Sequence, residues 1–111
     1  MRMPSYLLQL SYTTAALAAL VEHPQDRGEA VRKPIEKLGG KVDRFYLSFG
    51  DYDVVGIVDM PNNVSAAAFS MALGSGGACK SVRTTPLMSA EEGIEAGKKA
   101  ASCGYKAIGR K

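Results

Sequence analysis

The sequence predicts an α+β fold, a four-stranded antiparallel sheet covered by helices on one face, with an extra helix at the C-terminal end. Three observations predict it. Residues 4–12, 41–49, 52–60 and 78–87 alternate apolar and polar side chains at the period of a half-buried strand. Between and after these runs lie stretches whose apolar residues recur at helical spacing and which begin with capping residues. Only the two middle strands are close enough in sequence to form a tight hairpin, so the order is β-α-β-β-α-β followed by a helix.

The elements follow in chain order. The run "PSYLLQLSY" reads as the first strand, and Thr13 and Thr14 can cap the helix "AALAALVE" that Pro24 stops. Asp26 can cap "RGEAVRKPIEKL", where Val31, Ile35 and Leu38 share a face. Pro34 is expected to kink or restart that helix, and Gly39 and Gly40 to end it in left-handed geometry. "KVDRFYLSF" and "YDVVGIVDM" are the second and third strands, ended by Pro61. Asn62 or Asn63 caps the alanine-rich "VSAAAFSMAL", "GSGG" ends it, and "ACKSVRTTPL" is the fourth strand. Ser89 to Glu92 spells a capping box for "AEEGIEAGKKAA", with Glu95 and Lys99 expected to pair at i,i+4. Gly93 and Gly97 weaken this helix by about 1 kcal/mol each, a cost that makes sense where another surface comes close. This is the split βαβ order of the ferredoxin-like fold.

The hairpin loop sets the faces of the sheet. Gly50-Asp51 suits a two-residue type II′ turn, with Gly50 at positive φ and Asp51 a turn residue before it is a chemical one. That register pairs Phe49 with Tyr52, Leu47 with Val54 and Phe45 with Gly56 on one apolar face, which Tyr6, Leu8 and Leu10 join beneath the helices. The other face pairs Ser48 with Asp53, Tyr46 with Val55, Arg44 with Ile57 and Val42 with Asp59, and adds Leu7 and Gln9. So many large apolar groups are seldom left in water, and the simplest cover is a second copy, sheet against sheet about a two-fold axis. Gln9, Arg44, Tyr46 and Asp53 are the ligand-binding candidates on that face. Asp53, Tyr46 and His23 are the candidates for proton transfer, so that Asp53→Asn would abolish binding or turnover without unfolding the chain.

Composition bounds the rest. With 111 residues, 46% hydrophobic, the chain is a single domain with its core at about residues 5–101 and a basic tail over 102–111. A net charge of +3 with scattered basic residues argues against nucleic acid. Cys79 and Cys103 form no CxxC pair, so neither a metal site nor a cofactor is expected. "GSGGACKS" fails as a phosphate loop: Cys79 stands where glycine must precede Lys80, and the glycines enter a strand rather than a helix. His23, the only histidine, ends a helix; as general base or haem ligand it would need a pocket beside it. With no long apolar run and no signal-like N-terminus, a cytoplasmic protein without a membrane partner is expected.

The stretch "FGDYDVVGIVDMPNNVSAAAFSMALGSGGACKSVRTTPLMSAEEGIEA" strongly resembles the GYD-domain family, whose Gly, Tyr and Asp match Gly50, Tyr52 and Asp53. The likeness runs from Tyr6 to about Ala101. It implies a small ferredoxin-like domain related to the dimeric α/β-barrel proteins. That wider group includes cofactor-free monooxygenases, isomerases, haem enzymes and non-catalytic modules, so kinship does not choose a chemistry. Two readings follow. One is a homo-oligomeric small-molecule-binding or structural module. The other is a cofactor-free enzyme, monooxygenase- or isomerase-like, acting on a small, aromatic compound between the sheets.

Overall fold

The computed structural model describes residues 3–109. Among them are four strands and four helices: β1 (Ser5–Tyr12), α1 (Thr14–Glu22), α2 (Arg27–Lys37), β2 (Lys41–Leu47), β3 (Val54–Asp59), α3 (Asn63–Ser75), β4 (Cys79–Pro86) and α4 (Ala90–Ala101). The strands form one antiparallel sheet in the order β2-β3-β1-β4, an α+β arrangement compatible with the ferredoxin-like fold.

Short polar side chains start the helices as the sequence implies. Thr13 accepts from Ala16 N, Asp26 from Gly28 N and Glu29 N, and Asn62 from Ser65 N. Both halves of the Ser89–Glu92 capping box are made. Gly39 and Gly40 close α2 in a Schellman motif: Gly39 N donates to Glu36 O and Gly40 N to Ile35 O. Only Gly39 is left-handed, at φ 87°.

Tyr6, Leu8 and Leu10 of β1, with Val54 and Val58 of β3, bury one sheet face against Val31 and Ile35 of α2 and Ala66 and Phe69 of α3. Helix α1 contributes Ala16 and Leu20 at the margin.

Five expectations need correction. Pro34 does not restart α2, which runs unbroken from Arg27 to Lys37. Pro34 and Ala30 are both exposed, so water can bond the carbonyl that the proline ring deprives of its donor. The β2–β3 connection is not a two-residue turn, for the ladder stops at Leu47–Val54 and Gly50 is not at positive φ. Leu47 and Phe49 consequently lie outside the core, at 67% and 100% exposure. A bulge at Asp43 pairs Val42 with Val58 instead of Asp59, turning Val42 onto the core side. Finally, Glu95 and Lys99 make no ion pair; the one within reach among the described residues joins Arg32 to Glu29 at 3.1 Å.

Helix α4 stands apart. Every residue from Ala90 to Ala101 is exposed, and a Cβ placed on Gly93 or Gly97 would meet nothing within 4 Å. The chain measures 60 × 37 × 22 Å with a radius of gyration of 17.5 Å, against about 13 Å for a compact chain of this length. Its accessible surface is 8248 Å2, roughly 2,300 Å2 more than a compact monomer of 11.8 kDa exposes.

Candidate functional site

Strand register builds the open face of the sheet from two rows of side chains that run across all four strands. One row is Tyr46, Val55, Gln9 and Arg83; the next is Arg44, Ile57, Leu7 and Thr85. Among the described residues no helix packs on this side, and all eight residues are half-buried or exposed. Neighbouring strands are about 4.8 Å apart, so Tyr46 and Arg83 sit roughly 14 Å from each other across the row. The polar groups are therefore spread along a shallow platform whose centre is apolar. Gln9, Tyr46 and Arg44 are brought onto one surface as expected. Arg83 joins them; the β1–β4 register that places it beside Gln9 is not visible in the local sequence.

Asp53 sits at the margin of this face, where the 48–53 loop leans on the end of β1. Its N–H donates to Leu10 O at 2.7 Å, and its Oδ2 accepts from the backbone N–H of the buried Tyr12 at 2.8 Å. The carboxylate stands in for the main-chain acceptor that the next rung of the ladder would supply. Ser11 Oγ donates to Asp51 O at 2.8 Å, so the loop is fastened to β1 at three points, and Ser48 N closes it on itself by donating to Asp53 O at 2.9 Å. Asp53 pairs with neither Arg44 nor Arg83. His23 does not join the others. It ends α1 on the helix-covered side, its N–H donating to Ala19 O at 2.8 Å.

The family comparison bears on that loop. The model of the GYD domain matches residues 6–96. The chain belongs to the GYD-domain family. No curated protein and no solved structure matches it. In this GYD domain Gly50, Tyr52 and Asp53 lie in the loop that locks β3 to β1, so Asp53 has a structural task whatever else it does.

Two clefts lie elsewhere. One, of about 490 Å3, opens between Met3–Ser5 and the first turn of α4. The other, of about 350 Å3, runs between α3 and the edge strand β4, walled by Ala67, Met71, Thr84 and Pro86. Among the described residues no group of His, Cys, Asp and Glu is placed to hold a metal, and no helix is long and apolar enough to cross a membrane. The glycines of "GSGG" end α3, with Gly76 at the cap and Gly77 left-handed at φ 79°, as a helix-ending loop requires.

The two thiols differ in surroundings. Burial pushes the Cys79 thiol above its ordinary pKa, partly opposed by the Arg27 charge, whereas Cys103 is exposed. Iodoacetamide at about pH 8 is expected to alkylate Cys103 roughly tenfold faster than Cys79. Peptide mass spectrometry over time checks this; equal rates would contradict the burial of Cys79.

Proposed function

We propose that this GYD domain works as a homo-oligomer of ferredoxin-like protomers whose open sheet faces meet in a dimeric α/β-barrel type assembly. The space between the faces serves as a small-molecule-binding or structural site. One observation carries the reading: Leu7, Val55 and Ile57 form an apolar centre on a sheet face that no helix among the described residues covers. Apolar area gains about 25 cal/mol per Å2 on leaving water, and a standard interface buries roughly 800 Å2 from each partner. The polar groups around that centre, Gln9, Arg44 and Tyr46, would orient a bound molecule. Binding is favoured over the enzymatic alternative because Asp53 already holds Tyr12 N–H and the remaining polar groups do not converge. The free thiols suit a cytoplasmic setting.

Size-exclusion chromatography with light scattering on the full chain tests this. A species of twice the chain mass is expected at micromolar concentration, and Ile57→Lys should weaken its association at least about tenfold. A wild-type monomer would sink the proposal. A thermal-shift screen of small aromatic and aliphatic acids then separates binding from a structural role, since only a ligand that binds the folded state raises the melting temperature.

A further inference from the structure

We propose that α4 is an exchanged arm, seating its apolar stripe in the α3–β4 cleft of a second copy of the chain. Ala90, Ile94, Gly97 and Ala101 recur along one side of α4, and all four are exposed, Ile94 to 62%. A helix of 12 residues with two internal glycines is marginal in water, so this one needs a surface to persist. That surface is not its own domain. Leu87 N is bonded to Ser5 O, which leaves only Met88 and Ser89 to turn the chain before the helix starts.

The cleft offers what the stripe lacks. Met71 of α3 is 73% exposed in its wall, and the walls are mostly apolar. Glycine at 93 and 97 lets a neighbouring backbone approach closely, the use that justifies two helix-weakening residues. Area agrees. The roughly 2,300 Å2 of surplus surface per chain is nearly three times what one partner buries in a standard interface and falls in the range of obligate dimers. The arm uses a surface on the helix side of the sheet, so it adds to the face-to-face contact proposed above and does not depend on it.

The test uses the full chain with Cys79 and Cys103 replaced by serine. Met71→Cys and Ile94→Cys are made separately and mixed under mild oxidation. A disulfide-linked dimer of the two different variants, on a non-reducing gel, is expected at far higher yield than either variant gives alone. In parallel, Ile94→Asp should raise the dimer dissociation constant about tenfold or more without changing the melt of the sheet. If no mixed dimer forms, or if a chain carrying both Met71→Cys and Ile94→Cys closes on itself as a monomer with a gyration radius near 13 Å, the arm is not exchanged. A dimer weakened by Ile57→Lys yet indifferent to Ile94→Asp would overturn this inference while leaving the sheet-face reading intact.

Discussion

Gly40→Ala is expected to lower the free energy of unfolding by about 3 kcal/mol, the upper part of the range for overpacking a core. A Cβ on Gly40 would lie 2.4 Å from Asp59 O and 2.4 Å from Met60 Sδ. Side chains can swing away from a methyl group, but a main-chain carbonyl in β3 can move only if the sheet moves with it. Met60 has little room to yield, being fully buried. Gly39→Ala is the internal control. Gly39 holds φ 87°, where a Cβ costs roughly 1–2 kcal/mol, and the nearest atom to its Cβ is Pro61 Cγ at 3.1 Å. Urea unfolding of both variants should therefore rank Gly40→Ala as the more damaging. The melting temperature should fall by about 12–24 °C for a loss of this size in a domain of about 100 residues. If Gly39→Ala costs more, the close approach of α2's exit to β3 is misplaced.

The same two glycines mark how far local sequence reaches. A Gly-Gly pair after an apolar helical run announces a left-handed cap, and Gly39 supplies it. The reason for Gly40 lies in Asp59 and Met60, some twenty residues on, and no local pattern holds that information. Caps were legible for a related reason: Thr13, Asp26, Asn62 and Ser89 bond backbone groups two or three positions away. The β2–β3 register was legible from Arg44–Ile57 to Leu47–Val54 because alternation fixes it. The Asp43 bulge escaped, although the spacing of Val42, Phe45 and Leu47 carries its trace: a gap of three before a gap of two means one residue too many. The 48–53 loop could not be read from its own residues, since its shape is imposed by Leu10, Ser11 and Tyr12 about forty positions earlier.

The candidate site divides along the same line. Parity alone put Gln9, Arg44 and Tyr46 on one face, and the sheet confirms that placement. His23 has the chemistry for proton transfer, but topology sends it to the other side. Gly93 and Gly97 pointed to another surface close to α4 but not to the chain's own core withholding it. Periodicity describes a face; only tertiary structure names its neighbour.

Asp53→Ala is expected to cost about 2–3 kcal/mol, and Asp53→Asn about 1 kcal/mol or less. The argument turns on Tyr12 N–H. Tyr12 is 6% exposed, and its N–H donates to Asp53 Oδ2 at 2.8 Å. Alanine removes the acceptor and leaves a buried donor without a partner, the costly half of the hydrogen-bond balance. Asparagine keeps an oxygen of the same reach and gives up only the charge on the acceptor. A purely chemical role predicts the opposite pattern: both variants would fold as the wild type does, and both would lose any ligand response. Urea unfolding with an unchanged m-value, joined to hydrogen exchange at the Tyr12 amide, separates the two. Faster exchange at Tyr12 in Asp53→Ala, with near-normal protection in Asp53→Asn, identifies the carboxylate as the clasp between the loop and β1. Equal stability in all three proteins would show that the Gly-Tyr-Asp loop is held by its main chain alone.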